Sequence, residues 1–280
     1  MKKTFLLGTA LFMQAALYAQ FDVGLSAFTI PTELSEQADE VIRYDIGSYE
    51  AESAAGGSYP YKGAVTILNL VSRANRITVS YDKDTKVKAF KATLYDMAGL
   101  EVRKIDKDEI QDVSMLGRGT LYDDARAKYL EVNYNQYPYT IAFQYEVSGE
   151  GLGMISNYFR WFFQGFDQGV EKSSFTLIYP PELAFHSKCL NAELEPEVRT
   201  IDGKEHRTWT LENLRVIPSE EDMPPSASIL PMLLNSPLQM NIEGYEGSMQ
   251  DWAAFGQFMN QLYEGRDVLP ENVRTEVQEI

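Results

Sequence analysis

The chain has 280 residues, with 25 Lys and Arg against 41 Asp and Glu, and a formal net charge of −16 at pH 7. A surface this acidic repels phosphate backbones and anionic lipid headgroups, which argues against nucleic acids and membrane surfaces as partners. With a single cysteine, Cys189, the chain cannot form an internal disulfide. One cysteine and two histidines are too few for the usual four ligands of a structural zinc site.

Residues 1–19 have the layout of a secretory signal peptide. Lys2 and Lys3 come first, an apolar run follows from Phe5, and Ala19 is a small residue suited to cleavage. The apolar run is too short to span a membrane, and no cysteine lies near the cleavage point for lipid attachment. We therefore predict a periplasmic or extracellular protein with no membrane insertion after cleavage.

The first part of the mature chain shows little strand pattern. "TELSEQADEVIR" (32–43) is typical of a short helix or turn, because Leu34, Ala38 and Ile42 fall on one side of a helix. The following "GSYEAESAAGGSYPYKG" (47–63) is rich in small and polar residues and predicts a loop.

Strand signals then dominate as far as residue 218. "RITVSY", "KYLEVNYN", "YTIAFQYEVSG", "SFTLIYP" and "RTWTLENL" alternate apolar and polar residues and are separated by turn signals. Many short strands at regular spacing indicate an antiparallel β-sandwich, which we assign to residues 20–218. The 17 Tyr and 14 Phe suit the half-buried surfaces of such sheets.

Proline marks the next boundary. Five of the 12 prolines fall between Pro218 and Pro237, which predicts a linker over 219–247. From Ser248 the period becomes helical. The apolar residues of a first predicted helix are Trp252, Phe255, Met259 and Leu262, and those of a second helix from Pro270 are Val273, Val277 and Ile280. Residues 248–280 are thus predicted to be helical.

Candidate catalytic and metal-binding residues are few. "HSKC" places His186 three residues before Cys189, but on a strand these two side chains would point to opposite faces. The acidic clusters are Asp82 with Asp84, the group Asp106, Asp108 and Asp112, and the adjacent pair Asp123 and Asp124. The first two lack the glycine and glutamate of a calcium loop, and neighbouring carboxylates in a turn are usually solvated. We predict no catalytic, cofactor-binding or metal-binding residue in this chain.

The segment from Tyr158 to Phe166 is unusually aromatic, with six aromatic residues among nine. An exposed band around Trp161 could bind sugar rings or a protein groove. A strand buried on both sides, or a loop folded over the core, would have the same composition, and the sequence favours this interpretation.

Several ordered stretches carry a family resemblance: "ADEVIRYD", "ATLYDMAGLEVRKIDKDEIQDVS", "QYPYTIAFQYEV", "VEKSSFTLIYPPEL" and "MQDWAAFGQFMNQLYEGRDVLPENV". Together they resemble a domain-of-unknown-function family that forms the N-terminal part of secreted bacterial transglutaminase-like proteins. The resemblance implies an immunoglobulin-like β-sandwich, with residues 248–280 opening a transglutaminase-like domain. It also implies that the catalytic cysteine, histidine and aspartate lie beyond Ile280.

These observations predict an exported, non-catalytic β-sandwich module that needs no cofactor and whose partner is its own downstream transglutaminase-like domain. The alternative is a free-standing periplasmic module that binds a glycan or peptide through the aromatic segment around Trp161.

Overall fold

The computed structural model describes residues 24–115, 124–242, 244–266 and 268–278, so the predicted signal peptide lies outside the described residues. The strands are β1 (Glu40–Ala51), β2 (Gly56–Ile67), β3 (Arg76–Tyr81), β4 (Thr85–Tyr95), β5 (Glu101–Lys104), β6 (Gln111–Ser114), β7 (Arg126–Glu131), β8 (Tyr139–Glu150), β9 (Arg160–Phe162), β10 (Gln168–Tyr179), β11 (Phe185–Leu190), β12 (Glu197–Ile201), β13 (Lys204–Leu214), β14 (Met232–Pro237), β15 (Gln239–Ile242) and β16 (Tyr245–Ser248). The helices are α1 (Thr32–Ser35), α2 (Leu152–Tyr158), α3 (Trp252–Tyr263) and α4 (Glu271–Gln278). The predicted mainly β fold with a short helical C-terminal segment is confirmed.

Eight strands form the main sheet, in the order β12-β13-β10-β1-β2-β8-β4-β5. The third and fourth strands, β10 and β1, run parallel, and the other described neighbours run antiparallel. Two smaller sheets accompany it, which we call the β7 sheet (β3-β7-β6) and the β14 sheet (β11-β14-β9). The hairpin β15–β16 forms a further two-stranded sheet near α3.

The core lies between the main sheet and the two smaller sheets. One contiguous cluster of buried side chains includes Val65 and Ile141 of the main sheet, Leu130 of the β7 sheet and Leu233 of the β14 sheet. Alternate residues of β1, β2, β4, β8 and β10 enter this cluster, as the two-residue period of a strand requires. Both smaller sheets therefore cover the same face, which we call the core face.

A second, smaller core lies where Leu34 and Ala38 pack with Val41 of β1. Nearby, Arg43 is only 1% exposed, and its guanidinium donates to the backbone oxygens of Gly24 and Ser26, both at 3.1 Å. Its Nε lies 3.0 Å from a carboxylate oxygen of Glu171. This buried cation ties the segment 24–30 to the sheet.

The prediction of a loop over residues 47–63 is wrong. β1 and β2 run through it and leave only a short turn between Ala51 and Gly56. The small residues serve close packing: a Cβ on Gly47 would lie 2.6 Å from the ring of Trp161, and one on Gly57 would lie 2.0 Å from a backbone oxygen. The predicted helix over 32–43 is likewise reduced to α1, because β1 begins at Glu40 and pairs on both sides.

The predicted linker over 219–247 is also wrong in part. Residues 232–237 form β14, the central strand of its sheet, and Met232, Leu233 and Asn235 are buried. The prolines do not prevent this strand, because Pro231 precedes it and Pro237 is its last residue. The β layer therefore continues past residue 218, and 239–242 and 245–248 form the hairpin β15–β16.

The first C-terminal helix begins at Trp252 and not at the predicted Ser248, because Ser248 is the last residue of β16. The Asp251 carboxylate accepts a hydrogen bond from the backbone N–H of Ala254 at 2.8 Å and so caps α3. Gly265, with φ of +73°, follows the end of the helix, where a left-handed residue favours glycine. Within the described ranges, no helix is both long enough and apolar enough to cross a membrane.

Candidate functional site

The structure separates the thiol from its neighbouring histidine. On β11, His186 is exposed, whereas Cys189 is half-buried and turned inward. Burial, with a smaller contribution from the charge of Glu195, raises the pKa of the Cys189 thiol. A nucleophilic cysteine needs a lowered pKa and an adjacent base, so this pair has the wrong properties on both counts.

The acidic clusters have structural partners. Asp112 accepts hydrogen bonds from Lys128, Tyr81 and Arg126, which hold its pKa well below the usual range. Asp82 accepts from Thr85 in a turn, and Asp106 is part of a capping box. Asp84, Asp108 and Asp124 are exposed, and Asp123 lies outside the described residues. In the part of the chain that the structure describes, no three metal-ligating side chains come together.

The aromatic segment is mostly buried. Trp161 is 7% exposed and Phe163 is 1% exposed. The indole Nε1 of Trp161 donates to Ser173 Oγ at 3.1 Å, and its ring lies against Gly47. The favoured interpretation, a buried Trp161, therefore holds, and the alternative in which Trp161 presents a binding surface is wrong, because β9 lies in the layer over the core face and turns this ring inward.

A different site emerges on the core face, where two adjoining hollows share Ile42 and Tyr61. One, of about 350 Å³, is bounded by Asp45 and by residues Phe162–Gly165 at the end of β9 and just beyond it. The other, of about 270 Å³, is bounded by Phe143, Tyr145 and strand β3. We call the two hollows together the aromatic cleft.

Backbone register places the carboxylate of the cleft. Asp45 of β1 lies directly opposite Gly63 of β2. A Cβ on Gly63 would lie 2.7 Å from the hydroxyl of Tyr61, so the glycine leaves room for that side chain to lie along the sheet. The Tyr61 hydroxyl can then donate to Asp45 Oδ1 at 2.6 Å.

The other oxygen of this carboxylate meets a second hydroxyl. Ser173 Oγ of β10 donates to Asp45 Oδ2 at 3.4 Å while accepting from Trp161. Loss of hydration raises the pKa of Asp45 to about 6, and the bonds from Tyr61 and Ser173 oppose this rise only in part. Asp45 therefore changes its charge near neutral pH.

Aromatic rings pack around Tyr61, the residue that donates to the carboxylate. The rings of Tyr61 and Tyr145 stack with centroids 4.8 Å apart, and Phe143 lies 5.6 Å from Tyr61. Burial raises the pKa of Tyr61 well above its ordinary value, so its phenol stays protonated and remains a donor to Asp45. Trp161 completes this side with its ring centroid 6.2 Å from Tyr61.

The sequence analysis missed this site because it assigned Asp45's neighbours to a helix and a loop. One signal was available: in "RYDIGSY" an acidic residue alternates with Gly47 and Tyr49. On a strand these three share one face, so the pattern places a carboxylate among core residues.

Fold and cleft together define a mainly β protein with antiparallel sheets and a half-buried carboxylate beside the aromatic residues of its core layer. The family described as a domain of unknown function with a solved structure, DUF3857, matches residues 55–218. Because this match covers more than half of the chain, the protein belongs to that family. Comparison with curated proteins gives no match.

Among solved structures, the chain is similar to a presumed protease from Parabacteroides distasonis ATCC 8503, with 13% identity and a TM-score of 0.61. The similarity covers 70% of this chain and 40% of that one, so the chain spans well under half of that structure's length. An M1 zinc metallopeptidase from Deinococcus radiodurans also matches, with 10% identity over 70% of this chain and 41% of that one, but its TM-score is 0.30. At these identities, the first likeness shows a shared fold alone, and the second carries no argument.

Proposed function

We propose that this chain is an exported, non-catalytic β-sandwich module that accompanies a transglutaminase-like (cysteine peptidase-like) domain located beyond Ile280. The observation that carries the proposal is the outward apolar surface of the C-terminal helical segment. Trp252 is 88% exposed and Tyr263 is 64% exposed on α3, and Val268 and Leu269 are exposed just beyond it. An apolar surface of this kind marks a contact with another domain or protein.

The way α3 is anchored keeps that surface free. Phe258 is the buried residue of the helix. Its ring packs so closely on Gly247 of β16 that a Cβ at this glycine would lie 2.2 Å from the ring atom Cδ2. The predicted stripe is therefore not the anchor: Trp252 points outward, and Phe255 and Met259 are only half-buried. One aromatic side chain fixes the helix to the hairpin while the others stay available to a second domain.

Two further observations support a non-catalytic role. The single thiol has a raised pKa and no histidine beside it, so it lacks the features of the nucleophile of a cysteine peptidase. The similar presumed protease is a longer protein, of which this fold makes up 40%. A module attached to a catalytic domain accounts for both observations.

The first test is the intact mass of the native protein recovered from the periplasmic fraction of its source cell. We expect a mass well above the 31.8 kDa of this chain. A mass about 2 kDa lower than that of this chain, as removal of a 19-residue leader alone would give, would contradict the proposal.

The second test addresses catalysis by this chain directly. The purified predicted mature chain, residues 20–280, should neither hydrolyse casein nor incorporate dansylcadaverine into it. An activity that is retained in wild type and lost in Cys189→Ala would overturn the non-catalytic assignment. Because Cys189 is half-buried, Cys189→Ser serves as a second variant that keeps the side-chain size.

The alternative, a glycan- or peptide-binding module that uses Trp161, is not supported, because the Trp161 ring is buried and hydrogen-bonded to Ser173 and so cannot contact a ligand. Any binding role has to use other side chains.

A further inference from the structure

We propose that the aromatic cleft binds a primary ammonium group on a short alkyl chain, such as a lysine side chain of a peptide, with the Asp45 carboxylate as its counter-ion. This role is independent of whether a catalytic domain follows the chain.

The first step is that Asp45 lacks a protein cation. Its hydrogen-bond partners are two hydroxyl groups, those of Tyr61 and Ser173. Among the described residues, no ion pair includes Asp45, in contrast to Asp112, which meets Arg126 and Lys128. The charged form of a half-buried, poorly hydrated carboxylate without a cation is disfavoured, and groups perturbed in this way cluster at functional sites.

The second step is the sign of the charge that the cleft favours. The faces of aromatic rings carry negative potential and attract cations. Tyr61 lines the hollow with Asp45, Tyr145 lies close enough to feel the charge of Asp45, and the chain as a whole carries a net charge of −16. Both the local and the overall electrostatics select a cation over an anion or a neutral sugar.

The third step is the size and lining of the hollow beside Asp45. Its 350 Å³ is at the small end of ligand pockets and fits a side chain. Ile42, Phe162 and Leu230 offer apolar contacts for an alkyl chain. Gln164 is already engaged, because its amide donates to the backbone oxygens of Gln168 and Arg215. Asp45 is then the charged anchor among the described lining residues.

Among the groups around the cleft, Asp45 is the one whose protonation should change when a cation binds. Tyr59, Tyr61 and Tyr145 face it, and burial raises the pKa of each phenol. Two ion pairs lie nearby: Arg43 with Glu171 along β1 and β10, and Arg76 with Glu131 at the β3 side of the cleft. Since each pair is balanced, neither neutralises Asp45.

The experiment is an NMR titration of the predicted mature chain, residues 20–280, with Nα-acetyl-lysine N-methylamide at pH 7.5, followed through the indole N–H resonances. The Trp161 indole donates to Ser173, which donates to Asp45, so it should report an ion bound at that carboxylate. We expect a saturable shift at Trp161, no shift at exposed Trp252, and at least tenfold weaker binding of the neutral norleucine analogue. Pentylamine distinguishes a free amine from a lysine side chain as the natural ligand. An affinity equal to that of the lysine amide would assign the site to free amines, and a weaker affinity would assign it to peptides.

The matched variants are Asp45→Asn and Asp112→Asn, because both aspartates accept from a tyrosine but only Asp45 lies in the cleft. Asp45→Asn should weaken lysine-amide binding at least tenfold, and Asp112→Asn should leave it unchanged. The wild-type protein provides a further test without any substitution. Its affinity for the lysine amide should fall about tenfold from pH 7.5 to pH 5, because Asp45 takes up a proton. Equal binding of the norleucine analogue, unchanged binding by Asp45→Asn, or no shift at Trp161 would overturn the proposal.

Discussion

Replacing Asp45 by asparagine should stabilise the protein at neutral pH, although it alters a side chain with two hydrogen-bond partners. The substitution keeps the size and planar shape of the group. The amide oxygen of the new side chain can still accept from Tyr61, and its amide nitrogen can donate to Ser173, whose hydroxyl has a second lone pair. What disappears is the negative charge in an enclosed, aromatic environment.

The magnitude follows from the pKa of Asp45. Folding raises it from an ordinary value of 3.8 to about 6, mainly by removing water. At about 1.4 kcal/mol for each pH unit, the ionised form is disfavoured in the folded protein by about 3 kcal/mol. Because the folded protein holds this proton more tightly than the unfolded chain, Asp45 makes the free energy of unfolding fall as pH rises from about 4 to about 6.

The asparagine variant mimics the protonated aspartate at every pH. It should therefore match wild type near pH 4 and exceed it by up to about 3 kcal/mol above pH 7. Urea denaturation of both proteins at pH 4, 5, 6 and 7.5, followed by far-UV circular dichroism, measures this difference. Subtracting one curve from the other removes the contributions of the other carboxylates.

Asp112→Asn supplies a control of opposite sign. Lys128, Tyr81 and Arg126 lower the pKa of Asp112, so its charge stabilises the folded protein above the unfolded pKa, and that contribution is lost in acid. This variant should be less stable than wild type at pH 7.5 and equal to it at low pH. If Asp45→Asn is instead the less stable protein at pH 7.5, or if its difference from wild type is constant with pH, Asp45 is not a disfavoured carboxylate.

Three further predictions concern packing and exposure. Arg43→Met should lower the free energy of unfolding, measured by urea denaturation, by about 3–5 kcal/mol, because it leaves Glu171 without its buried partner. Arg43→Lys should restore little of this loss, since one ammonium cannot reach the same set of oxygens. Full stability of the methionine variant would contradict the role of the ion pair. Gly47→Ala should cost about 1–3 kcal/mol, because the new methyl group would lie 2.6 Å from Trp161, whereas an unchanged midpoint would show that the ring can move. Iodide should quench a fluorescence component that Trp252→Phe removes, and quenching that survives this substitution would place the exposed indole elsewhere.

Local sequence features predicted several parts of this fold. Alternating apolar and polar residues identified β7, β8, β10 and β13, because a strand's two faces are visible in a two-residue period wherever one face is buried. The helical period of the apolar residues from Trp252 predicted α3, but its start was placed at Ser248, which belongs to β16; the cap is Asp251. The core role of Trp161 was favoured by composition, but its exposure could be decided only by the layer packed over it.

The site itself depended on long-range pairing. Asp45 belongs to β1, whose parallel partner β10 places Ser173 opposite it, 128 residues later in the chain. No local pattern encodes that register, and the small residues from Gly47 to Gly63 were typical of a loop until packing against Trp161 and neighbouring backbone explained them. In the same way β14 became a strand between prolines only because β9 and β11 supply hydrogen-bond partners on both sides.

The sequence by itself therefore determined the mainly β class, the acidic surface and the helical C-terminal segment, because these depend on composition and on neighbours within a few residues. Tertiary structure alone decided which polar residues enter the core. A carboxylate on a strand is solvated or enclosed according to the sheet that covers its face. For Asp45 that cover comes from β9 and the residues after it, which lie far along the chain from β1.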